Sequence, residues 1–390
     1  MNMRPIYLDC HATTPMDKRV LEAMMPFFTD YFGNASSVAH VYGWEAEAGI
    51  KKAREIIAGA INAGENEIIF TSGATEADNL AIKGVAEAYF DRGKHIITVA
   101  TEHKAVIEPC EYLMDLGFEV SFLPVNESGL LDLNLLQETI REDTILVSVM
   151  AANNEIGVLQ PLGDIGQICH DRGVIFHTDA AQAVGKIPLD VQSMNIDLMS
   201  LTAHKIYGPK GVGALYIRRR HPRVKIASQI QGGGQEQKIR SGTLCTPNIV
   251  GFGKAVELAI ALRETENETQ KQLRDYLWQE ISQLEGITLN GDLEKRLPGN
   301  LNISVENVDG AALLLALQRT VAVSSGSACT SESTKPSHVL MALGRSKSLA
   351  QASLRFGIGR FNTETEIKQV AQATIDAIGA LRKSGIRTKT

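Results

Sequence analysis

Lys205 and Asp179 each stand just past an apolar run, where a charged side chain is costly and therefore informative. Lys205 lies in Leu201-Thr202-Ala203-His204-Lys205-Ile206-Tyr207-Gly208-Pro209, after the run Ile196 to Leu201 in which Asp197 is the one charged residue. An ammonium at the exit of a buried strand loses hydration. It is either an ordinary surface lysine beyond the strand, or an amine with a lowered pKa that can form a Schiff base. Asp179 follows Val174-Ile175-Phe176-His177-Thr178 and faces a parallel choice. It caps the next helix, or it is a buried carboxylate that needs a cation beside it.

A third stretch, Thr71-Ser72-Gly73-Ala74-Thr75-Glu76, falls between a predicted strand and a predicted helix. Gly73 permits a tight turn, Ala74 leaves room for a ligand and Thr75 adds a hydroxyl. The N–H groups at the helix start then suit a phosphate. Read locally, the stretch is a plain cap by Ser72 or Thr75, with Glu76 or Asp78 in the first turn. An amine for an aldehyde, an acid for a ring nitrogen and a turn for a phosphate together fit pyridoxal phosphate. That cofactor needs its pyridine nitrogen protonated to act as an electron sink. Cys329 adds a nucleophile. It sits in Ser324-Ser325-Gly326-Ser327-Ala328-Cys329-Thr330-Ser331-Glu332-Ser333-Thr334, where a structural cysteine would have apolar neighbours. A thiol there is expected to be exposed and available as a thiolate, the alternative being an incidental loop cysteine.

The elements that must position these groups alternate from about Ile68 to Ile217. Strands are predicted at 67–71, 95–99, 118–122, 144–149 and 174–178, and helices at 76–92, 105–116, 133–141 and 162–171. Such βαβ alternation points to a mostly parallel sheet covered on both faces, with ligands beyond the carboxyl ends of its strands. A helical region from about Asn248 to Leu284 leads into a second unit. That unit has a strand near 301–304, a helix near 310–318 and a closing helix after Thr363. Residues 1 to about 14 are too few to fold alone and are expected to pack on it.

At 390 residues the chain exceeds what one core usually serves, so two domains are expected: 15–260, and 1–14 with 261–390. The net charge of −6 and the single short cluster Arg218-Arg219-Arg220, read as a solvated face, give no nucleic-acid footprint. No apolar run suits a signal peptide or a membrane span. Cys10, Cys110, Cys169, Cys245 and Cys329 are odd in number and widely spaced. This argues against a disulfide framework or an intrinsic metal site and for a reducing, cytoplasmic setting. Cys110 and Cys169 fall in helical patterns and should be packed. Cys10 has His11 beside it as a possible activator.

Seven segments resemble, in order, the signature stretches of cysteine desulfurases of the IscS/NifS type, among the fold-type I pyridoxal-phosphate enzymes. They are Ser72 to Asn79, Thr101 to Lys104, Asn153 to Gly157, Asp179 to Gln182, His204 to Gly211, Arg240 to Thr243 and Ser324 to Cys329. The resemblance runs from Tyr7 to about Arg382. It implies an α/β fold, with a large domain around a mostly parallel seven-stranded sheet and a smaller α+β domain. It implies a homodimer converting L-cysteine to L-alanine, with sulfur leaving as a persulfide on Cys329. Lys205 would hold the cofactor and move protons, Asp179 would pair with the ring nitrogen, and Gln182 would bond the ring's phenolic oxygen. Ala74, Thr75, Thr202 and His204 would hold the phosphate, with Thr243 reaching it from the other subunit. His103 would stack on the ring as an acid/base, and Asn154 and Arg355 would bind the substrate carboxylate.

Sulfur would pass to an iron–sulfur scaffold or another acceptor protein, such as one serving tRNA thiolation. The Cys329 persulfide would be a transient ligand for a cluster. Thr202 stands where the family commonly has serine. Longer relatives carry a C-terminal extension that helps dock the scaffold, which leaves docking of that kind open here. The rival readings are a selenocysteine lyase, a pyridoxal-phosphate aminotransferase and a non-catalytic partner protein of the same fold.

Overall fold

The apolar runs between residues 68 and 217 form one seven-stranded sheet in the computed structural model, which describes residues 4–325 and 335–384. Its order is Ile68–Thr71, Gly213–Ile217, Leu198–Thr202, Ile175–Asp179, Thr144–Ser148, His95–Val99 and Glu119–Leu123. Gly213–Ile217 runs antiparallel to both neighbours, and every other pairing is parallel. The central strands are buried along their whole length because helices cover both faces, so they read as continuous apolar runs rather than alternating ones.

Alternate residues serve opposite cores. Ile175 and Leu198 pack under the helices Ala74–Ala88 and Lys104–Asp115. Phe176 and Met199 face the other side, with the helices Val41–Ala60 and Leu162–Asp171. The 36-residue helix Thr246–Ile281 serves two cores. Its early residues Ile249 to Ala259 join this sheet, and Leu273, Leu277 and Ile281 join a second cluster. That cluster covers a three-stranded antiparallel sheet of Ser353–Gly357, Asn300–Val305 and Ile287–Leu289. Part of the N-terminal segment packs there. Leu8 is fully buried in the second core, and the strand Ile6–Tyr7 pairs in parallel with Val321–Ala322.

Two expectations need adjustment. The strand predicted at 174–178 runs from Ile175 to Asp179, so Asp179 is its last residue rather than the first beyond it. Arg218 is not part of a solvated face. It is 7% exposed, pairs with Asp197 at 3.0 Å and donates to the Val191 and Ile196 carbonyls. Its guanidinium ties the end of Gly213–Ile217 to the segment that enters Leu198–Thr202, which a run of three arginines does not reveal. No helix among the described residues is long and apolar enough to cross a membrane.

Candidate active site

A cavity of about 630 Å³ opens at the carboxyl ends of the strands. It brings together Ala74, Thr75, His103, Asn154, Asp179, Gln182, Thr202, His204 and Lys205, all expected from the sequence. Two expected residues lie elsewhere. Thr243 is exposed and does not line this cavity. Arg355 is buried behind the wall, and Cys329 lies outside the described residues.

The turn at residues 72–75 is built by backbone. The helix Ala74–Ala88 starts at Gly73 with no side chain capping it, so neither Ser72 nor Thr75 takes up the first-turn N–H groups. Glu76 instead accepts from the Ser72 N–H at 2.9 Å and pairs with Arg240 at 2.7 Å. Gly213 lets the neighbouring strand pass close, since a Cβ there would stand 2.7 Å from the Gly73 backbone.

Asp179 is 6% exposed, and among the described residues its carboxylate accepts one hydrogen bond, from the Ala181 N–H at 2.8 Å. Burial pushes its carboxyl above the ordinary range, while that N–H, His103 and Lys205 pull it back. Beneath it lies a polar column. His177 bonds the Ser148 hydroxyl at 2.8 Å and the Ser200 hydroxyl at 3.0 Å, with the Asp78 carboxyl 3.6 Å from its Nε2. Burial and then Asp179 push Asp78 up as well.

Lys205 Nζ donates to the His11 carbonyl and, at 2.8 Å, to the Ala12 carbonyl. Those two carbonyls come from the N-terminal segment. His11, Ala12 and Thr13 all line the cavity, and Thr13 Oγ1 lies 3.1 Å from His204 Nδ1. Burial, together with Lys205 and Lys210, lowers His204 to about 4.

His103 caps its helix, its Nδ1 accepting from the Ala105 N–H at 3.1 Å. With Nδ1 so used, the proton of the neutral ring resides on Nε2. Burial lowers its pKa, which favours the neutral ring. Arg355 is 2% exposed and pairs with Asp9 at 2.8 Å. It also donates to the Ser324 hydroxyl and to the backbone carbonyl of Asn154 at 2.9 Å.

Sequence reasoning missed the places of His11, Ala12 and Asp78 around this cavity. The carbonyls have no side-chain signature, and Asp78 read as an ordinary first-turn acid. Cys10 is not activated by its neighbour. Burial raises it to about 12, and the same burial leaves His11 neutral. Cys110 and Cys169 are buried as expected, and Cys245 is exposed.

Residues 6–370 match the family Aminotransferase class-V. The cysteine desulfurase IscS of Ehrlichia chaffeensis is 54% identical over 97% of this chain and 92% of its own length. The chain belongs to the cysteine desulfurases. The Mus musculus cysteine desulfurase is also 54% identical, over 98% of this chain and 83% of that one. Among solved structures, a NifS-like protein superposes with a TM-score of 0.90 at 38% identity, covering 97% of this chain and all of the other. A structure described as SspA in complex with cysteine gives 0.82 at 40% identity, over 92% of this chain and all of that one.

Desulfurases of this family work with pyridoxal phosphate, and the cavity fits it. A buried carboxyl with one N–H partner suits a ring cation, a helix start with no side-chain cap suits a phosphate, and an amine lines the same cavity.

Proposed function

We propose that this chain is a homodimeric, cytoplasmic desulfurase that takes sulfur from L-cysteine, releases L-alanine and carries the sulfur as a persulfide on Cys329. The observation that carries the reading is the convergence of Lys205, Asp179, His103 and the 73–75 turn on one cavity. When bound, pyridoxal phosphate supplies the electron sink for bond breaking at the substrate's α-carbon. Lys205 would hold the cofactor through its aldehyde carbon, and its amine would move the substrate's α-proton. Asp179 would keep the ring nitrogen protonated. Asn154 and Arg355 would hold the substrate carboxylate, with Asp9 keeping the guanidinium in place. His103 gives its Nε2 proton to the reacting substrate. The Cys329 thiolate attacks the substrate sulfur, so that an S–S bond forms as the Cβ–Sγ bond breaks. A proton delivered to Cβ completes alanine.

The homodimer is supported by apolar side chains that a monomer would leave in water. Phe28, Phe32, Val38, Tyr42 and Trp44 are each at least half exposed and crowd one stretch of sequence. Thr243 would serve the partner's phosphate. The buried thiols Cys10, Cys110 and Cys169 are unpaired, as a reducing compartment keeps them. The persulfide sulfur would then pass to an acceptor protein, with iron–sulfur assembly as the expected use.

Cys329→Ser tests the reading. It should bind pyridoxal phosphate and cysteine as the wild type does, yet release no alanine at a useful rate. Cysteine added to the wild type without reductant should add one sulfur, mapped by mass spectrometry to the peptide holding Cys329. Normal alanine release by the serine variant would overturn the persulfide route and favour an aminotransferase. Mixing Lys205→Ala with Thr243→Ala chains should restore activity if Thr243 acts across the dimer, because one hybrid site is then intact.

A further inference from the structure

Gln182 is 4% exposed, and both ends of its amide are held. Its Oε1 accepts from Lys186 Nζ at 3.2 Å, and its Nε2 donates to the His11 carbonyl at 2.8 Å. An ammonium carries donors only, so the oxygen of the amide must be the atom that faces Lys186. His11 Nδ1 lies 3.2 Å from the same oxygen. Because burial keeps that ring neutral, its one proton belongs on Nδ1, directed at the oxygen. The oxygen thus has two donors, and the nitrogen has spent one of its two hydrogens. The second hydrogen is left for the cavity that Gln182 lines.

Lys186 is itself fixed. Gly185, at φ +74°, makes the turn that returns it, in a place where a Cβ would meet Ala259 at 2.6 Å. Asn267 on the long helix donates to the Lys186 carbonyl at 2.8 Å. Among the described residues no carboxylate forms an ion pair with its ammonium, and burial lowers it to about 8. A buried cation without a counter-ion is costly unless something repays it.

We propose that Lys186 is a positioning residue that locks the Gln182 carboxamide with its NH₂ towards the cavity, so that this amide can only donate to the ring oxygen of the cofactor. The inference rests on the reading that pyridoxal phosphate lies in this cavity with its phenolic oxygen at Gln182. A fixed donor there stabilises the ionised oxygen, and losing it makes the chromophore hold its proton to higher pH. The titratable groups facing this amide are few. His11 and Cys10 come from the N-terminal segment, Lys205 follows its strand, and Asp179 and His103 stand across the cavity.

The test is a pH titration of visible absorbance, without substrate, on full-length protein loaded with pyridoxal phosphate. Lys186→Met should move the midpoint up by about one unit, a tenfold change in proton affinity. Lys186→Arg, which keeps the charge and the donors, should restore most of it. Gln182→Leu should shift the midpoint the same way. The double variant should shift no further, because Lys186 acts through the amide. Lys186→Ala replaces the methionine variant if that chain does not fold. A midpoint equal to wild type, or a double variant in which the two shifts add in full, overturns the inference. Wild type that gains no visible absorbance with pyridoxal phosphate overturns the cofactor reading instead.

Discussion

The two walls of the cavity are made of different matter. The strand-exit wall presents side chains, with Asp179 and Thr202 ending their strands and Lys205 following three residues later. The N-terminal wall presents backbone, the carbonyls of His11 and Ala12 that receive Lys205 Nζ. Side chains supply chemistry that no other residue type replaces. Carbonyls supply direction, and any residue that keeps the chain path keeps them. Substitutions on the first wall should therefore abolish steps, whereas those supporting the second should shift affinity or stability.

The largest expected effect is that of Lys205→Ala, which should abolish turnover and the visible absorbance of the loaded protein. Borohydride trapping of the wild type followed by peptide mapping should place the pyridoxyl group on Lys205. An adduct on Lys186 or Lys210 would break the division between the walls. Asp179→Asn keeps the shape and removes the charge. It should slow exchange of the cysteine α-proton by orders of magnitude, measured by deuterium incorporation. Exchange at the wild-type rate would remove Asp179 from the chemistry.

Asp9→Ala probes the second wall, because Asp9 is the partner of Arg355. The freed guanidinium would sit less well for a carboxylate, and KM for cysteine should rise about tenfold, or 1.4 kcal/mol, with kcat changed less. A fall in kcat at constant KM would move Asp9 to the first wall.

Glu155→Gln should affect turnover least. Glu155 is 5% exposed and accepts from the Ser337 hydroxyl at 2.5 Å, and burial raises its carboxyl from 4.5 to about 7. Between those two values the folded chain holds a proton that the unfolded chain has released. Wild-type stability therefore falls as pH rises through that window. The glutamine variant should lose this slope, as thermal unfolding at pH 5 and pH 7 would report. An unchanged slope would mean that Glu155 is ionised when folded.

The strand exits were legible because a buried parallel sheet writes itself as apolar runs, and its ligand residues must follow them. The strand His95–Val99 and the helix Leu162–Asp171 match their expected bounds for that reason. The helices Lys18–Met24, Pro26–Thr29 and Val41–Ala60 were not predicted. Their large apolar residues, Leu21, Phe28 and Trp44 among them, point outward, which blurs the one-sided pattern of a surface helix. The second wall was illegible for a different reason. Asp9 meets Arg355 across 346 positions, and no local pattern announces two carbonyls. Arg218 misled because a charge beside two other charges reads as surface.

The pairing of Ile6–Tyr7 with Val321–Ala322 has a consequence for synthesis. The first strand made waits for one of the last, more than 300 residues later. At about 5–20 residues per second that is roughly 15–60 s of translation. The seven-stranded sheet can close on the ribosome well before then, carrying Lys205 without its two carbonyl partners. Cofactor capture in its final geometry is thus deferred until the chain is nearly complete. A nascent fragment with a finished sheet is still an unfinished site.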